Sequence, residues 1–290
     1  MFTFIVEYWQ YIIGLLAVLR AYRGLRFFFI KRRITGPGKI NLEARPFVIK
    51  MGAKKVALLL HGFTTSPREF RDLARYLAKN NISVCAPLLP GHGTSPERLA
   101  VTKYYQWVEY VEEQINNLAR EYDEIYIVGN SFGGNLALIC AQSSPKIKGI
   151  VTLGTPIFFR RDKLNRFILF PLLRRIKIFQ DKKYHSSRAR SLMTKKAWVY
   201  QTVPLRSAAQ LLKLVNLTKK KIPYVTKPVL VMQVVRDHLI DKESGRYILS
   251  KVKSSKRSII TVPESYHMFL VDKYAPYVNR EIRHFIEENH

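Results

Sequence analysis

The sequence predicts an α/β fold in which helices flank a mostly parallel sheet, and three observations support this. Short apolar runs rich in β-branched residues alternate with helical patterns along most of the chain. One glycine-rich turn joins a strand pattern to a helix pattern, where parallel sheets place functional residues. The 290 residues, 47% of them apolar, suffice for one large domain with an insertion.

The strand predictions are short apolar segments between residues 46 and 262. They are Pro46–Met51, Val56–Leu60, Ile82–Ala86, Glu124–Val128, Ile147–Leu153, Val229–Val235 and Ser258–Val262.

Two helices between these strands have their own signals. The pattern Ser66-Pro-Arg-Glu69 predicts a helix that begins there, with proline in its first turn and a capping box between the serine and the glutamate. Over Thr102–Tyr122, four apolar residues recur at helical spacing and predict an amphipathic helix. They are Trp107, Val111, Ile115 and Leu118.

The domain organisation follows from where this alternation stops. It stops after Leu153 and resumes at Val229, and the basic, apolar-rich stretch 156–227 between them is predicted to be an inserted helical cap. Gly36-Pro37-Gly38 marks a loop, so residues 1–33 form an N-terminal hydrophobic and basic segment. We expect residues 34–290 to form the α/β domain that carries the cap.

The net charge of +28 is concentrated in these two segments. Residues 1–33 hold six Lys or Arg and one acid (+5), and residues 156–227 hold nineteen Lys or Arg and two acids (+17), which leaves +6 for the remainder. Such segments indicate an anionic partner. No recognition motif for nucleic acid accompanies the charge, so we expect an anionic membrane surface and no specific nucleic acid.

The N-terminal segment is predicted to associate with the membrane. Residues 2–19 are largely apolar, and Arg20, Arg23 and Arg26 follow them, whereas a signal peptide carries its cations before the apolar run. An 18-residue run is at the short end for a spanning helix. A spanning anchor, an interfacial helix and a helix packed on the protein's own core all stay open. If the segment spans, the positive-inside rule places the domain on the cytoplasmic side, so we expect the inner face of the membrane.

The two cysteines, Cys85 and Cys140, each lie in an apolar run and are expected to be buried free thiols, which fits a reducing compartment. No group of Cys and His has zinc spacing. We expect neither a metal nor a cofactor.

A candidate nucleophile lies in Gly129-Asn-Ser-Phe-Gly133, which matches G-x-S-x-G. A strand pattern (EIYIVGN) precedes the serine and a helix pattern (NLALICAQSS) follows it, so Ser131 is predicted to stand on a strained strand-to-helix turn. A side chain at the flanking glycines would collide with the neighbouring elements. An ordinary glycine-rich turn is the alternative.

Serine becomes a nucleophile when a histidine takes its proton and a carboxylate orients that histidine. Asp237 follows the strand VLVMQVV, and His267 follows the last strand, so both stand at the carboxyl edge of the sheet. The order Ser131, Asp237, His267 is the one this architecture uses. Asp241, expected to cap the next helix, and Glu264 are the rival acids.

An oxyanion hole needs two donors aimed at the developing negative charge. The first is predicted to be the backbone N–H of Phe132, directly after the nucleophile. The second is predicted to be the N–H of Phe63, in the loop His61-Gly-Phe-Thr after the LLL strand. His61 is expected to fix this loop and not to act as a base.

Five segments in this order resemble the α/β-hydrolase superfamily, and within it the bacterial carboxylesterase and monoacylglycerol lipase group. They are LLLHGFTTSPREFRDLARYL, APLLPGHGTSPE, IVGNSFGGNLAL, VLVMQVVRDHLID and SYHM. The resemblance implies cofactor-free hydrolysis of carboxylic esters, with Ser131, Asp237 and His267 as triad. Tyr266 stands where the family often has glycine, and the cap is unusually basic.

We therefore expect a membrane-associated serine esterase or lipase that cleaves a lipid-like ester through an acyl-enzyme. The alternative is a catalytically silent hydrolase fold that serves as a basic module for binding membrane or nucleic acid. Part of the acyl-binding wall is expected from apolar cap residues, with packing of the cap as the alternative. These are Phe158, Phe159, Phe167, Ile168, Phe170 and Leu173.

Overall fold

The computed structural model describes residues 2–34, 36, 38–52, 54–160, 177–184, 186–235, 237–263, 267 and 270–289, except for the side chains of residues 2–7 and Arg188. Several residues singled out from the sequence lie outside the described residues. They are Glu264, Tyr266 and the cap residues Phe167, Ile168, Phe170 and Leu173.

The strands of the described chain form a large sheet and a small one. They are β1 (Phe47–Ile49), β2 (Lys55–Leu60), β3 (Ser83–Ala86), β4 (Glu124–Asn130), β5 (Ile147–Leu153), β6 (Phe179–Asp181), β7 (Thr202–Pro204), β8 (Val229–Val234) and β9 (Arg257–Val262). The large sheet has the order β1-β3-β2-β4-β5-β8-β9, and only β1 runs antiparallel to its neighbour. All seven strand predictions are confirmed, with ends that differ by two residues at most.

Helices cover both faces of the large sheet. The helices of the described chain are α1 (Phe2–Arg33), α2 (Arg71–Lys79), α3 (Pro96–Val101), α4 (Tyr104–Glu121), α5 (Phe132–Ile139), α6 (Ser187–Leu192), α7 (Leu205–Lys221), α8 (Glu243–Lys251) and α9 (Ala275–Glu288).

The core is divided by the sheet, because successive side chains of a strand point to opposite faces. Leu58 and Leu60 of β2 pack in a cluster with α4, α5 and α7, while Ala57 and Leu59 pack with α2 and α9. All four side chains are fully buried. A strand buried on both faces reads as a continuous apolar run, as VALLL does here.

The amphipathic helix over Thr102–Tyr122 is confirmed as α4, which buries Trp107, Val111 and Ile115. The helix predicted at Ser66 is present as a 3₁₀ turn, Pro67–Phe70, that continues into α2.

The capping box predicted at this helix start is wrong. The Ser66 hydroxyl makes no capping hydrogen bond and instead donates to the carbonyl of Ala197, 2.6 Å away. The Glu69 carboxylate accepts from Gly62 and Asn130 instead of from the backbone of Ser66. Tertiary hydrogen bonds have replaced the local ones.

Between β5 and β8, the described part of the insertion contains α6, α7 and the antiparallel pair β6–β7. The sequence did not predict this antiparallel pair. Helix α7 buries Leu211, Leu214 and Val215 in the core cluster formed with α4 and α5. The C-terminal part of the insertion is therefore part of the packed body.

Helix α1 contacts the body along one narrow stripe. Leu16, Leu19, Arg23, Phe27 and Ile30 are partly buried and recur at spacings of three and four residues. The other large apolar side chains described on this helix are exposed. They are Tyr8, Trp9, Tyr11, Ile12, Ile13, Leu15, Val18, Tyr22, Leu25, Phe28 and Phe29. Within the described residues, no helix combines the length and the apolarity needed to cross a membrane.

Candidate active site

Ser131 stands on a sharp turn between β4 and α5. Its backbone has φ of 52° and ψ of −113°, a conformation that residues with a side chain rarely adopt. A Cβ at Gly129 would lie 2.3 Å from the carbonyl oxygen of Gly133, and a Cβ at Gly133 would lie 1.9 Å from that of Leu60. Both positions therefore require glycine, and the strained turn predicted from the motif is present.

The side chains of Ser131, His267 and Asp237 form one hydrogen-bonded row. His267 Nε2 lies 3.0 Å from Ser131 Oγ, and His267 Nδ1 lies 2.6 Å from Asp237 Oδ2. The three residues come from the ends of β4, β8 and β9, which lie on one half of the sheet. The structure thus brings together three residues that are 136 and 30 positions apart.

Asp237 is held in place by its second carboxylate oxygen. Oδ1 accepts hydrogen bonds from the N–H groups of Leu239 (2.7 Å) and Ile240 (2.8 Å). Burial alone would raise the pKa of Asp237, but the His267 charge and these hydrogen bonds together lower it below its ordinary value. The rival Asp241 precedes Lys242, which is the N-cap residue of α8 in place of the expected Asp241, and its carboxylate accepts from the N–H of Glu243 at the helix start.

The backbone N–H groups of Phe63 and Phe132 are available as donors. Within the described part of the chain, neither N–H donates to another group, whereas the N–H groups on either side of Phe63 are both engaged. Gly62 donates to Glu69 Oε1 at 2.8 Å, and Thr64 donates to His92 Nε2 at 3.1 Å. The Phe63 N–H is the free donor in a segment fixed on both sides.

Glu69 links the two halves of this donor arrangement. Its Oε1 accepts from Gly62 N at 2.8 Å and from Asn130 Nδ2 at 2.9 Å. Gly62 precedes Phe63, and Asn130 precedes Ser131, so one carboxylate oxygen connects both donor segments. Glu69 is 3% exposed, and burial raises the pKa of its carboxyl above the ordinary value.

Two buried histidines complete the support of the loop. His61 Nδ1 donates to the carbonyl of Gly62, and its Nε2 accepts from Leu89 N at 3.1 Å. Burial lowers the pKa of His61 to about 4, and burial also lowers that of His92 well below its usual range. His61 therefore fixes the loop as a neutral imidazole, as expected.

Sequence reasoning missed Glu69, His92 and Asn130 as parts of the site. The sequence pattern assigned Glu69 to helix capping, and nothing local connects it to residues 61 positions away. The segment APLLPGHG marked the loop that contains His92 without indicating that its ring accepts from Thr64.

The cap residues that the structure describes lie beside the acid. Phe159 forms an antiparallel bridge with Ile240, whose N–H donates to Asp237. The Phe158 ring packs edge-on against Tyr247 with centroids 5.3 Å apart, and Lys219 Nζ lies 4.5 Å from its centre. These contacts favour the packing alternative for Phe158.

The arrangement brings together a hydroxyl, an imidazole and a buried carboxylate, near two loops whose Phe63 and Phe132 N–H groups make no other hydrogen bond among the described residues. These are the groups that acyl transfer through a covalent intermediate requires. Among the described residues, no three His, Cys, Asp or Glu side chains come together as metal ligands.

The sheet order, the strained turn at Ser131 and the hydrogen-bonded row of Ser131, His267 and Asp237 define an α/β-hydrolase, and comparisons with known proteins agree. Residues 52–274 match the family described as serine aminopeptidase, S33. The chain belongs to this family of serine hydrolases, and the fold and superfamily predicted from the sequence are confirmed.

The curated relatives are esterases and lipases. The chain is 31% identical to a thermostable monoacylglycerol lipase of Bacillus sp. (strain H-257), over 81% of this chain and 91% of the relative. It is 28% identical to a carboxylesterase of Bacillus subtilis (strain 168), over 84% and 96%. The predicted class, ester hydrolase with a serine mechanism, is thereby confirmed.

Solved structures show the same fold. A metagenome-derived lipolytic enzyme matches with a TM-score of 0.76 at 22% identity, over 86% of this chain and all of that one. The monoacylglycerol lipase of Paleococcus ferrophilus matches with a TM-score of 0.71 at 18% identity, over 85% and 100%.

Proposed function

We propose that this protein hydrolyses lipid-like carboxylic esters, such as monoacylglycerols, with Ser131 as nucleophile, His267 as base and Asp237 as orienting acid. The observation that carries the proposal is the double contact of His267, 3.0 Å from Ser131 Oγ and 2.6 Å from Asp237 Oδ2. A base hydrogen-bonded to both partners is the geometry of an activated serine.

In the first half-reaction, Ser131 Oγ attacks the ester carbonyl while His267 Nε2 takes the hydroxyl proton. The carbonyl oxygen becomes an oxyanion that the N–H groups of Phe63 and Phe132 stabilise. Collapse of this intermediate breaks the bond to the alkoxy oxygen. His267 returns the proton to that oxygen, and the alcohol leaves.

In the second half-reaction, water attacks the acyl-serine and His267 accepts one of its protons. The same two N–H groups stabilise the second oxyanion. Collapse releases the carboxylic acid, and the proton goes back to Ser131 Oγ. Asp237 stays ionised throughout, which agrees with the lowered pKa of its carboxyl.

Support for a lipid-like acyl group comes from the relatives named monoacylglycerol lipase and carboxylesterase. The silent-module alternative is disfavoured, because a protein that only binds has no need for an assembled Ser131–His267–Asp237 row.

The test is hydrolysis of p-nitrophenyl esters of increasing acyl length, monoacylglycerols and lysophospholipids, with Ser131→Ala as control. We expect esters to be cleaved, medium or long acyl chains to be preferred, and Ser131→Ala to be inactive. An alanine p-nitroanilide tests the aminopeptidase reaction in the family description. Cleavage of the anilide alone, or equal ester cleavage by Ser131→Ala, would overturn the proposal.

We also propose that the protein binds the inner face of a membrane through α1 and the basic cap. Helix α1 exposes aromatic and aliphatic side chains such as Trp9 (58%), Leu15 (60%) and Val18 (65%) along most of its length. It ends in Lys31-Arg32-Arg33. Apolar side chains can enter the acyl region while cations contact anionic headgroups, each Lys or Arg contributing roughly 1 kcal/mol. The inner leaflet is the anionic one.

Liposome flotation tests this attachment. The intact protein should float with anionic vesicles and resist a salt wash. The variant Leu15→Gln/Val18→Gln/Leu25→Gln should be released by salt, because only the screened electrostatic attraction remains. Leu42→Gln/Tyr224→Gln, which changes equally exposed residues on the body, is the matched control. Equal flotation of all three proteins after the wash would contradict a role for α1.

A further inference from the structure

A cavity of about 460 Å³ lies between α1, α7 and the segment that leads from α3 into α4. None of its lining residues belongs to the triad or to the loop that carries Phe63. Its volume falls within the range of about 300–1,000 Å³ that small-molecule sites occupy. The proposed ester hydrolysis makes no use of this cavity.

The walls of the cavity are strongly cationic. Arg20 and Arg23 come from α1, Lys103 precedes α4, and Arg206 and Lys213 come from α7. No acid is among the described residues that line it. Like charges in a partly enclosed space raise each other's free energy, and an anion bound among them adds an attraction that offsets this repulsion.

Three of these cations have no acidic partner in the described part of the chain. Arg20, Lys103 and Lys213 form no ion pair there, although surface acids elsewhere on the body pair with lysines and arginines. The charge of these three side chains at the cavity is therefore available to a bound anion.

The cations are held around the cavity by contacts between the three elements. The Arg206 guanidinium lies 3.5 Å from the centre of the Phe27 ring, which attaches α1 to α7. On the other side, Gln210 Oε1 accepts from Tyr104 N at 3.3 Å, and the buried Ser207 hydroxyl donates to the carbonyl of Leu99 at 2.7 Å. These contacts fix α7 to α3 and α4, so the cavity is part of the packed structure.

We propose that this cavity binds a phosphate group, supplied by a phospholipid headgroup or by a soluble phosphate. Phosphate carries up to two charges and several acceptor oxygens, which suits guanidinium forks and ammonium groups converging from three sides. The cavity adjoins the helix whose apolar side chains are exposed, so a headgroup could enter it while its acyl chains contact α1. This site refines the proposed membrane attachment and is independent of ester hydrolysis.

The test uses the full chain and a matched pair of variants. Lys103→Ala/Lys213→Ala removes two exposed cations at the cavity, and Lys253→Ala/Lys256→Ala removes two exposed cations elsewhere. Calorimetry with inorganic phosphate should show binding by the intact protein and by the second variant. The first variant should bind about tenfold more weakly or worse, because each charged hydrogen bond contributes substantially.

Flotation with phosphatidylcholine vesicles, with and without phosphatidic acid, separates the two sources. Loss of the preference for phosphatidic acid in Lys103→Ala/Lys213→Ala alone identifies a lipid headgroup. Phosphate binding without that loss identifies a soluble ligand. Absence of both effects, or equal losses in the two variants, overturns the inference.

Hydrolysis of p-nitrophenyl acetate by the same three proteins reports on the catalytic site separately. Retained phosphate binding without hydrolysis contradicts the proposed reaction only. Retained hydrolysis without phosphate binding contradicts the phosphate site only.

Discussion

Replacement of Glu69 by alanine should slow ester hydrolysis although Glu69 touches no reacting atom. Its Oε1 holds Gly62 N at 2.8 Å and Asn130 Nδ2 at 2.9 Å, so it positions the segments that carry Phe63 and Phe132 relative to each other. Without the Glu69 carboxylate, the Phe63 N–H is still present, but one of the two hydrogen bonds that hold its loop is lost. Glu69→Gln keeps an acceptor of the same reach and serves as the conservative variant.

The expected loss in kcat follows from the contribution of the Phe63 N–H as an oxyanion donor. Complete removal of one oxyanion donor costs about 10²–10³ in kcat. In Glu69→Ala the donor remains, and the second restraint from Thr64 to His92 remains too, so we expect a loss of about 10–100-fold. Glu69→Gln should stay within a few-fold of the intact protein, because Oε1 still accepts.

The assay is steady-state hydrolysis of p-nitrophenyl butyrate, normalised to the fraction of sites that react with a fluorophosphonate. Oxyanion stabilisation acts in the transition state, so kcat should fall while KM changes little. A purely structural role would lower the fraction of reactive sites and leave kcat per site unchanged.

Two results would refute this account of Glu69. One is a kcat per reactive site in Glu69→Ala equal to that of the intact protein. The other is a Glu69→Gln variant as slow as Glu69→Ala, which would mean that the carboxylate charge matters and the hydrogen-bond geometry does not.

Two further predictions concern the acid and the buried histidines. Asp237→Asn should lower kcat by about 10⁴ and Asp241→Asn by no more than a few-fold, and the reverse pattern in ester assays would identify Asp241 as the acid. The pKa of His61 is about 4 in the folded protein and 6.5 in the unfolded chain. As the pH falls, the unfolded chain therefore binds a proton before the folded protein does. The free energy of unfolding should fall by about 3 kcal/mol between pH 6.5 and pH 4. Urea unfolding should show a weaker pH dependence in His61→Gln/His92→Gln. The raised pKa of Glu69 acts in the opposite direction, and it does so equally in the intact protein and in the variant. An unchanged dependence of the free energy of unfolding on pH would contradict the conclusion that these histidines are buried as neutral rings.

The parts of the fold that sequence predicted well are those with a strong local signal. The run VALLL of β2 is continuously apolar because helices cover both faces of the sheet at this strand, and such a run is easily recognised in the sequence. Trp107, Val111 and Ile115 bury one side of α4 and repeat with the helical period. The glycines around Ser131 are dictated by backbone contacts at the turn itself.

The parts that sequence reasoning missed depend on distant partners. Glu69 fits a local capping pattern in the sequence, yet its carboxylate accepts from Gly62 N and from Asn130 Nδ2, which lies 61 positions away. The strands β6 and β7 have three residues each and lie in a basic, apolar-rich stretch whose pattern predicted helices. The cation cavity brings together residues from 20 to 213, and only the packing of α1 on α7 reveals it.

The most direct test of the central claim is mass spectrometry of the intact protein after reaction with a fluorophosphonate. We expect one adduct per chain, located on Ser131, and no adduct on Ser131→Ala. A chain that stays unmodified, or an adduct that persists in Ser131→Ala, would contradict the conclusion that Ser131, His267 and Asp237 form a working nucleophile.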